Sequence, residues 1–228
     1  MELQWRVHFP LAVILPATRT PGALLAALAL LSMGTPLHSR ENSAFVIDER
    51  PGGTLTLTDR VDYSCFTYTT AALWRINDDI PADYLILPQI FSYQGRPFPV
   101  VALGDRMVFA VRPDFALLAE FFPRGPEDYY LGFTFRPSIE LWFDRPAMQI
   151  FFMPGGGFGW TDHGGPPVGL GRDLSFNWGF ELGVKYFPNE NFSLKLGVYF
   201  QHLSNMNTRE HNPGLNALGP TLGFSWSF

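Results

Sequence analysis

From about residue 129 to residue 228, large apolar side chains return at every second position. In LKLGVYFQHLSNMN (194–207), Leu194, Leu196, Val198 and Phe200 form one row, facing away from Lys195, Gly197, Tyr199 and Gln201; without changing face, the row ends in His202 and Ser204. DLSFNWGFELGVKYF sets Leu174, Phe176, Trp178, Phe180, Leu182, Val184 and Tyr186 against Ser175, Asn177, Gly179, Glu181, Gly183 and Lys185. In LNALGPTLGFSWSF, Leu218, Leu222, Phe224, Trp226 and Phe228 oppose Gly219, Thr221, Gly223, Ser225 and Ser227. YYLGFTFRPSIELWF (129–143) and MQIFFMPGGGFGW (148–160) repeat the pattern. A period of two is the signature of a β-strand, whose successive side chains point to opposite faces. Weaker alternation places further strands near 106–122, 83–95 and 62–75, giving eight, with one more segment of the proline-rich 40–128 region left unassigned.

In a soluble barrel the apolar face would point inward and shorter strands would suffice. Here the opposite faces carry Arg136, Glu140, Glu181, Lys185 and Lys195 among many glycines, a mixture suited to a narrow barrel interior. The alternation is therefore read as apolar outward to lipid and polar inward, which predicts an all-β, antiparallel, eight-stranded transmembrane up-and-down barrel in a bacterial outer membrane. An interior of that size is filled by side chains and leaves no pore. The connections agree: PNEN (188–191) and DRPA (144–147) are short, whereas 161–172 and 205–214 are longer, as inner turns and outer loops alternate. Tyr129, Tyr130, Trp142, Trp160, Tyr186 and Trp226, near strand ends, are expected at the two membrane interfaces. Pro137, Pro154 and Pro220 fall inside strands, where each removes a ladder hydrogen bond, so bulges are expected there. A chain ending in Phe228 after alternating aromatics resembles the C-terminal signal of inserted outer-membrane barrels. The rival class, a soluble lipid-binding barrel, would need no detergent.

Composition narrows the classes. Only 16% of the 228 residues are charged while 16% are aromatic, including 22 Phe, against about 25% charged in ordinary soluble domains. A net charge of -5 without a basic cluster argues against nucleic acid as a partner. The single cysteine, Cys65, excludes an internal disulfide and any multi-cysteine metal site. At the N-terminus, Arg6 and Arg19 precede the apolar run GALLAALALLSMG, with Ser32 and Gly34 in small-x-small spacing. Residues 1–34 are therefore expected to be an export signal, the alternative being a membrane anchor; 35–60 form a lead-in and 61–228 the barrel.

His202 and Ser204 are the candidate chemistry. Residues i and i+2 on one strand face lie roughly 7 Å apart, and a histidine base beside a serine nucleophile is the acyl-transfer pairing. On a lipid-facing row such a polar pair carries an energetic cost that function would justify, although it also fits as a mere interfacial pair where lipid gives way to headgroups. At FQHLSNMNTREHNPGLN (200–216), and in the PGGGFGW and SFNWGFELGVKYF strands before it, the chain resembles the lipid A 3-O-deacylase (PagL-like) family of outer-membrane acyloxyacyl hydrolases, over about residues 130–228. The resemblance implies removal of an ester-linked acyl chain from the lipid A of lipopolysaccharide, with no cofactor and no metal. It makes His202 the base, Ser204 the nucleophile and Asn205 part of the oxyanion environment. The family's third member is a glutamate, and its place here falls on Asn216; Glu210 in the outer loop is a possible substitute. His163 and His211 read as solvated loop residues, and the PGGGFG glycines as relief of interior crowding or room for acyl chains. The same fold without catalysis, in a structural or binding role, is the alternative. The sequence leaves a homodimer open.

Overall fold

A computed structural model describes residues 57, 61–77, 82–145, 147–162, 170, 173–206 and 214–228. Twelve strand segments run in chain order: β1 (Cys65–Ala71), β2 (Leu73–Arg75), β3 (Leu85–Gln94), β4 (Val100–Ala102), β5 (Met107–Arg112), β6 (Asp114–Arg124), β7 (Tyr129–Phe135), β8 (Ser138–Phe143), β9 (Met148–Thr161), β10 (Asp173–Asn189), β11 (Phe192–Ser204) and β12 (Leu215–Ser227). β1 with β2, β3 with β4, β5 with β6 and β7 with β8 are consecutive pieces of single staves, so the twelve segments make eight. Each stave pairs antiparallel with the next, and β12 returns to β1 with Cys65 opposite Ser227 and Ala71 opposite Thr221, which closes the barrel. Closure removes the exposed sheet edges that would otherwise leave N–H and C=O groups without partners in lipid. The connections β2–β3, β6–β7, β9–β10 and β11–β12 meet at one end, the loop end; β4–β5, β8–β9 and β10–β11 turn at the other.

The faces follow the sequence alternation. Leu194, Leu196 and Val198 on β11, and Leu222, Phe224 and Trp226 on β12, point out, with Leu222 60% and Trp226 57% exposed. Inside, charges pair across the lumen. Glu181 accepts from Lys195 Nζ at 2.7 Å and from Thr221 Oγ1 at 2.8 Å. Arg136 Nε donates to Asp114 Oδ1 at 3.1 Å, and Asp114 also accepts from Gln94 Nε2 at 2.9 Å. Gln94 in turn accepts from Lys185 Nζ at 2.7 Å, and nearer the turn end Arg112 Nε meets Glu140 Oε1 at 3.2 Å. Charges buried this deeply are tolerable because each has an opposite charge or a hydrogen-bond partner.

Two of the aromatics expected at the membrane interfaces lie inside instead. Tyr130 is 0% exposed and its hydroxyl accepts from Asn177 Nδ2 at 2.7 Å; Trp142 is 5% exposed and donates Nε1–H to Glu140 Oε2 at 2.9 Å. Parity forces this: Tyr129, Leu131 and Phe133 point outward, so their even-numbered neighbours cannot. Tyr129, Trp160, Tyr186 and Trp226 are exposed. The glycines of PGGGFG serve the interior at Gly159, where an added Cβ would fall 2.5 Å from the Tyr130 ring, as would one at Gly132.

No register shift occurs at Pro137, Pro154 or Pro220, contrary to the expected bulges; the shifts lie at Leu85/Leu87 and Tyr186/Asn189. The prolines are accommodated by alignment. Arg112 pairs with Ser138 and Phe115 with Phe135, which sets Pro113 opposite Pro137. Phe135 pairs with Gly156 and Ile139 with Phe152, which sets Pro137 opposite Pro154. Three outward prolines thus share one height on adjoining staves, and residues that lack N–H groups face one another. On the far side of Pro113, Gly95 N–H donates to the Pro113 carbonyl at 3.0 Å, and the Gly95 carbonyl accepts from Arg112 Nη1 at 2.9 Å. Pro220 lies opposite Ala72, at the joint between β1 and β2, while its pairing to Val198 is unbroken.

Candidate active site

β11 carries its outward row to the loop end, where it finishes in His202 and Ser204. Two cross-strand neighbours flank His202: Trp178 on β10 and Asn216 on β12. The Trp178 and His202 rings sit 5.4 Å apart at an interplanar angle of 35°. On the other side His202 Nδ1 is 2.6 Å from Asn216 Oδ1. With Asn216 Oδ1 as the acceptor, the neutral imidazole that fits this contact is the one with its proton on Nδ1 and its lone pair on Nε2. Gly214, with φ of 61°, lies along the ring edge: a Cβ there would come within 3.0 Å of His202 Cε1. Amide, indole and glycine are all neutral, so the groups packed on the imidazole hold it by shape and hydrogen bonding.

Ser204, two residues along the same row, pairs with Phe176 and is 7% exposed; Asn205 follows it and is buried. Among the described residues no hydrogen bond joins His202 to Ser204. Such contacts are commonly long in the absence of substrate and tighten when it binds. The structure therefore brings His202 and Asn216 into contact, keeps Ser204 two residues along the same row and leaves Asn205 buried just past the end of β11. Glu210, His163 and His211 lie outside the described residues. Among the described residues, no group of three or more His, Cys, Asp or Glu side chains could hold a metal.

Two neighbours were not singled out in the sequence. Trp178 belongs to a recognisable outward row, but only the β10–β11 register shows that it meets His202. Asn77 lies just beyond β2, and no pattern in the sequence marks it. Its Oδ1 accepts the Asn216 backbone N–H at 2.9 Å and its Nδ2 donates to the Gly214 carbonyl at 3.0 Å.

A closed eight-stave wall with an apolar exterior, a charge-filled interior and longer connections at one end is the architecture of a bacterial outer-membrane β-barrel, and its loop end faces outward. More specifically, the chain belongs to the lipid A 3-O-deacylase (PagL) family, whose pattern matches residues 112–225. Among solved structures it is similar to the outer membrane enzyme PagL (16% identity, TM-score 0.49, covering 70% of this chain and 97% of that one). It is also similar to Neisserial surface protein A (14%, 0.40, 73% and 96%) and to the Yersinia pestis outer membrane protein Ail (13%, 0.35, 73% and 99%). No curated protein matches it in sequence.

Proposed function

We propose that the protein is a serine esterase of the outer membrane that removes an ester-linked acyl chain from the lipid A of lipopolysaccharide. The observation that carries this reading is the 2.6 Å hydrogen bond between His202 Nδ1 and Asn216 Oδ1, at the outer end of a lipid-facing row that also holds Ser204. In a chain of this family, that bond presents a basic Nε2 at the height of the lipid headgroups. Ser204 Oγ attacks the ester carbonyl while His202 Nε2 takes its proton. The tetrahedral oxyanion is held by backbone N–H groups and Asn205, and its collapse breaks the bond to the ester's alkoxy oxygen, which leaves as an alcohol with the proton from Nε2. Water, deprotonated in turn by His202, then attacks the acyl-serine, releases the fatty acid and restores Ser204.

A second reading, a non-catalytic barrel with a structural or binding role, draws on the same residue, because Asn216 brings no charge to steady an imidazolium. The two are separated by mass spectrometry of lipid A from cells carrying wild type or Ser204→Ala at equal outer-membrane level. Loss of one acyl chain with wild type alone is the expected result. Identical lipid A in both would leave the inert barrel standing.

A further inference from the structure

We infer that Asn77 is a positioning residue for His202, acting through the backbone on both sides of Leu215; its kinetic consequence rests on the hydrolase reading above. The β2–β12 ladder pairs Trp74 with Leu218 and Arg75 with Ala217, and one rung higher Ile76 N–H donates to the Asn216 carbonyl at 2.9 Å. Above that rung the side chain of Asn77 takes over from the backbone. Its amide has one acceptor and one pair of donors, like a peptide group turned sideways. Oδ1 takes the Asn216 N–H at 2.9 Å and Nδ2 gives to the Gly214 carbonyl at 3.0 Å.

Both residues so held are the ones that meet the imidazole. Asn216 reaches Nδ1 with its side chain, and Gly214 abuts Cε1, with a left-handed backbone and no room for a Cβ. Asn216 is thus fixed at its N–H by Asn77 and at its C=O by Ile76, which leaves its side chain aimed at the ring. The residues that follow Ser204 up to Gly214 are a connection between strands, and a strand end facing such a connection frays unless tied. Asn77 supplies the tie from the neighbouring stave, at the point where the β2–β12 pairing ends. Aspartate could accept from Asn216 but not donate to Gly214, and alanine could do neither.

The test uses the full chain refolded in detergent, with folding verified by heat-modifiable electrophoresis, as wild type, Asn77→Ala and Asn77→Asp. One readout is independent of activity: the 15N signals of His202 at alkaline pH, assigned against His202→Gln. Wild type should show the Nδ1–H tautomer alone, and Asn77→Ala a large share of the Nε2–H tautomer. The second readout is fatty-acid release from lipopolysaccharide. There kcat should fall about 10- to 100-fold in Asn77→Ala with apparent KM within about twofold, as displacement of a catalytic group by an ångström does. Asn77→Asp should fall between the two, and it carries the test if Asn77→Ala does not fold. A folded variant with unchanged tautomer and unchanged kcat overturns the inference. If wild type itself releases no fatty acid while the tautomer still shifts in Asn77→Ala, the positioning role stands and the hydrolase reading fails.

Discussion

Asn216 is where residue chemistry and family pattern part. Its amide oxygen lies 2.6 Å from His202 Nδ1 but brings no negative charge to stabilise the imidazolium of the proposed mechanism. Exchanging acid for amide in a serine protease lowers the rate about 10⁴-fold, in that case through the wrong tautomer. An amide acceptor orients the ring as a carboxylate does, so Asn216→Glu should recover only the charge component: a rise of about tenfold or more in fatty-acid release, read in the same assay as wild type. Ser204→Ala should abolish release yet leave the unfolding free energy in urea within about 0.5 kcal/mol of wild type, since the change removes one hydroxyl at a strand end. Gly159→Ala acts on packing instead. Its new Cβ would meet the Leu131 backbone carbonyl as well as the Tyr130 ring at 2.5 Å, and the overpacking should cost about 3 kcal/mol or more in urea unfolding without altering lipid A directly.

Among the strands, what was legible is the period of two. It located the last five staves, assigned their lipid and lumen faces, and carried His202 and Ser204 to the rim on one row. At Tyr130 and Trp142 parity decides over aromatic character, since two successive residues of a strand cannot both face lipid. Prolines were read one strand at a time, as local defects. Their resolution is visible only across staves, where Pro113, Pro137 and Pro154 come level. Family resemblance puts Asn216 in the place of the glutamate that partners the histidine, and the β11–β12 register sets it opposite His202. Asn77 could not be read at all. It reaches Asn216 because the barrel closes β12 onto the first stave, a relation between residues 139 apart in sequence that no local pattern encodes. Trp178→Ala tests the β10 side of the site. It removes the ring packed 5.4 Å from His202 and should lower hydrolysis several-fold while the barrel still folds, measured as kcat alongside heat-modifiable migration.

Taken whole, the barrel is a cylinder of hydrogen bonds filled with paired charge. Glu181 joins several lumen groups, holding Lys195 and Thr221 and lying 3.5 Å from Arg136. Glu181→Gln leaves both cations without that partner in a buried lumen, so unfolding in urea should become easier by about 3–5 kcal/mol. The proline row has a consequence of another kind. A β-sheet opens cooperatively because each rung supports the next, and at the level of Pro113, Pro137 and Pro154 several rungs lack their N–H donors. The wall below that level, β5 and β8, is thereby coupled to β6 and β7 above it through side chains and covalent chain more than through the ladder. In hydrogen–deuterium exchange the cylinder should behave as two cooperative units: amides of Val108–Arg112 and Ile139–Phe143 exchanging together, and those of Phe115–Phe121 and Tyr130–Phe135 exchanging later. A single rate across all four segments would show that the row transmits opening after all. Separate rates would mean that the inward rim can breathe while the outer rim, where His202 sits, keeps its geometry.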